Sequence, residues 1–120
     1  MHEKVSLSDA FASFSETWQP YAVADVDDHQ VKIAKIDGEF VWHSHDDADE
    51  LFLVHRGRLV LRFRDREVEL LPGELIVVPR GVEHQPVGHD GCEIVMLERA
   101  DVVNTGSAGG ERTAAVRQLG

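Results

Sequence analysis

Residues 38–57 read GEFVWHSHDDADELFLVHRG. His43 and His45 flank one serine, an acidic run follows, and Glu50 opens an apolar stretch that closes at Gly57. Side chains alternate along a strand, so His43 and His45 share a face with Val41 while Trp42 and Ser44 take the other. Two imidazoles about 7 Å apart along a strand can converge on one cation. The DDAD segment, residues 46–49, then reads as a hairpin turn, and Glu50, Phe52 and Val54 share a face of the next strand. If the two strands pair, Glu50 lands beside the histidines, while Asp46, Asp47 and Asp49 solvate the loop. An H-x-H pair alone is a weak signal, and a solvated acidic turn that contains histidine is the alternative reading.

Outward from this stretch the chain keeps a period of two. YAVADV, QVKIAKI, EFVWHSH, ELFLVH, RLVLRFR, REVELL, ELIVVP and CEIVMLE are short β-rich runs. They are punctuated at Asp27-Asp28, Asp37-Gly38, His55-Arg56-Gly57, Asp65-Arg66, Pro72-Gly73, Arg80-Gly81 and His89-Asp90-Gly91. Such spacing predicts an antiparallel sandwich or barrel, and nothing alternates as βα, which argues against a parallel sheet. Before the β region, Leu7, Phe11, Phe14 and Trp18 recur at one helical face, with a capping-box-like Ser6/Asp9 start and a stop at Pro20. A helix of about three turns is expected to lay this stripe on the outside of the β region. After Ala100 the Gly/Asn/Ser/Thr-rich DVVNTGSAGGER reads as an irregular strap, and Thr113–Leu119 as either a brief helix or a frayed end. The expected organisation is therefore a helix packing on a barrel (1–20), the barrel itself (21–100) and a C-terminal strap (101–120).

Composition narrows the function. The 120 residues carry 12 basic and 22 acidic side chains, a formal charge of −10 that repels nucleic acid and anionic membrane surfaces. No run approaches membrane-spanning length, and no targeting segment is evident. The single Cys92 excludes an internal disulfide framework and suits a reducing cytosol, so a cytoplasmic protein is expected. Cys92 itself reads as buried packing rather than a nucleophile. There is no G-x-S-x-G and no phosphate-cradling glycine loop.

A second cluster reinforces the first. GELIVVPRGVEH, residues 73–84, places His84 just after the Arg80-Gly81 turn, from where it could supply a third imidazole across a barrel. Together the two stretches resemble the paired motifs of the cupin superfamily, G-x5-H-x-H-x(3,4)-E-x6-G and G-x5-P-x-G-x2-H-x3-N. Four residues rather than five separate Gly38 from His43, and Gly88 stands at the closing Asn position, a departure expected to alter a turn rather than a ligand. The 15 residues between the motifs are typical of small single-domain bacterial cupins. The short N-terminal helix, WH-x-H…DELF core, PRGVEH-x-P turn and NTG…ERT strap look like the group often labelled cupin-2 or mannose-6-phosphate-isomerase-like.

The resemblance implies an all-β cupin jelly-roll β-barrel with a short N-terminal amphipathic helix, commonly paired as a homodimer. It implies a metal held by His43, His45, Glu50 and His84, a mixed N/O set suited to Fe, Mn, Ni, Co or Zn. Phe52, Val54, Leu61, Phe63, Ile76 and Val78 are candidates for an apolar wall; Gln85 for orienting a metal-bound water or, more simply, capping a strand. Arg56, Arg58, Arg62, Arg64, Arg66 and Arg80 read mostly as surface ion-pair partners, one or two of which could clamp a carboxylate. His29, His55 and His89 read as surface histidines. The functional expectation is a metal-dependent enzyme acting on a small polar or carboxylated metabolite, with dioxygenase-type chemistry ahead of a sugar-type isomerase or lyase, or of a non-catalytic small-ligand binder.

Overall fold

A computed structural model describes residues 3–111 and 113–119; Arg112, within the expected strap, lies outside the described residues. One helix and seven strands follow in chain order. These are α1 (Leu7–Ala12), β1 (Tyr21–Val26), β2 (His29–Glu39), β3 (Glu50–Phe63), β4 (Glu67–Leu70), β5 (Leu75–Val78), β6 (His84–Arg99) and β7 (Arg117–Gln118). The strands lie in the order β4-β3-β6-β2-β1-β7, and β5 also pairs with β3. This curled, largely antiparallel sheet is the jelly roll expected from the alternation. Among the described residues no helix is long and apolar enough to cross a membrane.

Two strands carry the architecture. β3 pairs along its length with β6, from Leu51↔Leu97 to Phe63↔His84, while its other edge takes β5 at one end and β4 at the other. The His55-Arg56-Gly57 and His89-Asp90-Gly91 segments, read from sequence as turns, are instead facing kinks inside these continuous strands. The β3–β6 register shifts there, and Gly57, Asp90 and Gly91 all have positive φ. A β-carbon on Gly57 would stand 2.7 Å from Cys92 Cα, so only glycine lets the strands close at the bend. Gly88 is likewise inside β6 rather than in a turn: a side chain there would strike Ile36, its neighbour on β2.

Alternation then sorts the faces. Ala34, Ile36, Phe52, Val54, Leu59, Leu61, Phe63, Leu70, Val78, Cys92, Ile94 and Met96 form the interior core. Ile33 and Val95, on the opposite face, pack with Phe11, Phe14 and Tyr21 beneath α1. The helix is shorter than its stripe predicted. Ser6 caps it by accepting from the Asp9 N–H, but it stops at Ala12, before Ser13, Ser15 and Thr17, residues that compete with a helix for its own backbone bonds. Thr17 instead bridges to Lys35, and Trp18, with φ 61°, turns away from the outer face to stack on Phe40 at 4.8 Å. The C-terminal segment is neither helical nor frayed: β7 pairs in parallel with Tyr21 and Ala22.

Candidate metal centre

EFVWHSH does not form the strand its pattern suggested. After Glu39 the chain runs beside β6 irregularly, with Phe40 N–H donating to Pro86 O and one isolated bridge joining His43 to His84. The predicted facing nevertheless holds, since His43 and His45 are both buried. Glu50 is the first residue of β3 and His84 the first of β6, so these two ligand candidates sit at strand starts.

The four side chains come together. His43, His45, Glu50 and His84 each offer one ligand atom, all within 4.8 Å of one another. Glu50 Oε1 lies 3.4 Å from His45 Nε2 and 3.5 Å from His84 Nε2. Backbone carbonyls aim two of the rings: Val41 O is 2.9 Å from His43 Nδ1, and Val82 O is 3.0 Å from His84 Nδ1. A carbonyl can only accept, so both Nδ1 atoms carry the hydrogen and both Nε2 lone pairs point inward. Burial, with the neighbouring His84 adding to it, pushes the His43 pKa down to about 4, keeping its ring neutral. Burial alone would raise Glu50, but its close neighbours Glu98, His45 and His84 hold it below the ordinary carboxylate range.

Three of these inward atoms, His45 Nε2, Glu50 Oε1 and His84 Nε2, are buried with no hydrogen-bond partner. Unpaired buried polar atoms are costly and rare. One divalent cation would satisfy all three at once, and neutral imidazoles with an ionised carboxylate are the protonation states it requires. The residues present fit a metal ion.

Beside the site opens a cavity of about 50 Å³. His43, Glu50 and Phe52 lie on its wall, with Trp18, Phe40 and Met96. The wall also holds two charged residues that pattern reading passed over, Lys32 and Glu98. Lys32 Nζ sits 3.1 Å from Glu98 Oε1, and both side chains are almost fully buried. Burial, helped by the facing Glu50, raises the Glu98 carboxyl despite Lys32. The signal for both was present: Lys32 falls on the same period-two face as Ala34 and Ile36, and Glu98 on that of Ile94 and Met96.

The other candidates separate. Phe52 lines the cavity, whereas Val54, Leu61, Phe63 and Val78 belong to the core below, with Ile76 packed against it. Gln85 donates to Phe40 O and so ties down a backbone turn. Arg58, Arg62, Arg64 and Arg80 pair with surface acids, Arg66 lies over the Phe63 ring, and among the described residues no arginine lines the cavity. His29 and His55 pair with Asp28 and Glu93. Asp47 and Asp49 meet Arg99 and Arg80 at the surface, as expected of a solvated loop.

The strap contributes unexpectedly. Ser107 N–H donates to Ser44 O at 2.9 Å, and Ser107 Oγ accepts from Ser44 N–H at 3.1 Å. Between these bonds and His45 lies Gly106, where a β-carbon would overlap Ser44 O and stand 2.9 Å from His45 Nδ1.

The family model described as the Cupin domain matches residues 27–98, a span that contains all four of these side chains. The chain belongs to the cupin family. The cupin-2 domain containing protein of Shewanella frigidimarina superposes with a TM-score of 0.78 at 42% identity, over 79% of this chain and 93% of that one. A Neisseria meningitidis protein does so at 0.74 and 30% identity, over 81% and 99%. Among curated proteins, Bacillus subtilis YdbB is 34% identical over 89 residues, 65% of this cupin and 79% of YdbB.

Proposed function

We propose that this cupin is a metal-dependent enzyme acting on a small, largely apolar metabolite with oxygen-bearing groups, and that its reaction is an oxidation using O2. The observation that carries this reading is the continuity of two features: orphaned ligand atoms, and an apolar cavity sharing His43 and Glu50 with them. An ion of Fe, Mn, Ni, Co or Zn, bound by His43, His45, Glu50 and His84, would supply a Lewis acid with positions left open for exogenous ligands. The chain's own contribution is positional. Val41 O and Val82 O fix two imidazoles in the required tautomer. Trp18, Phe40, Phe52 and Met96 exclude water, which strengthens every charge interaction within. A wall that is largely apolar and, among the described residues, without arginine suits such a substrate better than a sugar phosphate, which favours oxidation over the sugar-type isomerase reading.

The test begins with metal analysis of protein purified without an affinity tag. Iron, together with oxygen uptake on a metabolite screen read by mass spectrometry, is the expected result. A redox-inert ion without oxygen uptake would move the assignment to isomerisation or lyase chemistry. Absence of retained metal, with ligand binding unchanged in His43→Ala, would leave a non-catalytic binder. We further place the protein in the cytosol as a homodimer, a reading supported by its one buried free thiol and by the exposed Leu75 and Val77 on edge strand β5.

A further inference from the structure

Glu50, Glu98 and Lys32 form a continuous charged line across three neighbouring strands. Leu51 pairs with Leu97, so Glu50 and Glu98 face each other one step beyond, on β3 and β6; Lys32 reaches Glu98 diagonally from β2, where it pairs with Met96. At strand spacing, Lys32 stands about 10 Å from the Glu50 row. Burying such a pair is expensive, and apolar side chains of similar size would serve stability as well or better. Moreover, its hydrogen-bonding capacity is not used up. Lys32 has three hydrogens and, among the described residues, two acceptors: Glu98 Oε1 at 3.1 Å and Val102 O at 3.4 Å. Glu98 Oε2 is buried with no partner, in a residue only 3% exposed. Among the described residues, the cavity wall therefore holds one spare N–H and one spare carboxyl oxygen, side by side in largely apolar surroundings that also include His43, Glu50 and Asn104.

We propose that Lys32 and Glu98 form a second binding subsite, separate from the metal ligands, which takes an uncharged hydroxyl group of the substrate. The hydroxyl oxygen accepts from Lys32 Nζ and its hydrogen goes to Glu98 Oε2. A hydroxyl fits whether or not Glu98 holds a proton, because either form of the carboxyl keeps a lone pair. A carboxylate fits worse, because it would stand beside two buried acids, Glu98 and Glu50. The substrate would thus carry an oxygen group at the metal and a hydroxyl several carbon atoms away along an apolar body.

This rests on the proposed function for the identity of the guest as a substrate, but its test does not involve the metal. Protein stripped with a chelator is titrated with cyclohexanol, cyclohexanecarboxylate and methylcyclohexane, followed by NMR and by the fluorescence of Trp18 on the cavity wall. The variants are K32M/E98L, which replaces the pair by apolar side chains and is expected to fold, and Glu98→Gln. Cyclohexanol affinity should fall about tenfold or more in the double variant, the worth of a hydrogen bond to a charged group. It should fall severalfold in Glu98→Gln, which keeps an acceptor for Lys32 and so guards against loss of fold. Methylcyclohexane should bind the double variant as well as or better than the parent. Cyclohexanol bound equally by parent and variants, no cyclohexanol binding by the parent, or tighter binding of the carboxylate would each overturn the subsite. Failure to find metal or turnover would leave these outcomes unaffected.

Discussion

His43 and His84 exchange both of their main-chain hydrogen bonds, at 3.0 and 2.9 Å, and each aims its ring through a carbonyl two residues earlier. The same short-range device thus operates on both sides of the bridge. Two imidazoles from distant parts of the chain are held as one rigid unit, ready to bind an ion without reorganising.

Removing either ring should abolish metal retention, lowering affinity by more than the roughly 10–100-fold typical of an outer-sphere partner. The two variants should differ in stability. His84 is fully buried, so His84→Ala also leaves a void and should cost about 2–4 kcal/mol. His43 borders the cavity, and His43→Ala should cost less. Metal titration and urea unfolding of both proteins check the split; equal stability losses would contradict the geometry.

The metal-free protein should lose stability in mild acid. Unfolded, His43 takes its proton near 6.5; folded, only at about 4. Between these values the unfolded chain binds the extra proton, so stability rises with pH through that window and is lost as pH falls. The full shift corresponds to about 3 kcal/mol at most. Unfolding free energies measured across the window, with and without His43→Ala, should show the slope reduced in the variant.

Gly106→Ala should disturb the metal site from outside both motifs. The new methyl group meets Ser44 O and the His45 ring, and the backbone is already at φ 50°. Metal affinity is expected to fall about tenfold, as for other groups that orient a ligand, with about 1–3 kcal/mol of destabilisation. Unchanged metal binding would mean that the strap does not position His45.

Cys92 should be inert. Burial pushes its thiol up to about 12, with the charge of Glu93 adding to the effect. A thiol reagent at mildly alkaline pH should leave the folded protein unmodified and react fully once urea is present. Rapid labelling of folded protein would show the core opening at the Gly57 kink beside it.

The fold and the clustering of His43, His45, Glu50 and His84 were legible because each rests on a local rule. Period-two runs gave the strands, and the spacing of His43, His45 and Glu50 survived even though their segment is not a regular strand, since inward facing needs only local alternation. Strand ends were harder. Gly57 and Gly91 look like turn residues because positive φ is what glycine supplies, yet long-range pairing between β3 and β6 turns both into kinks. Trp18 continued a helical stripe in sequence, but stacking on Phe40 outweighed that register. Lys32 and Glu98 were hidden for a different reason: a charge on an apolar face looks like noise until its partner across the sheet is known.

The cavity wall draws on stretches outside the family-matched span of residues 27–98: Trp18 and Pro20 before it, Val102, Asn104 and Val116 after it. Gln19, donating to Ala115 O, fastens the two flanks together. Part of the cavity wall therefore lies outside the span that carries the four clustered side chains. The flanks could be exchanged between relatives to retune what enters, leaving the cluster of His43, His45, Glu50 and His84 untouched.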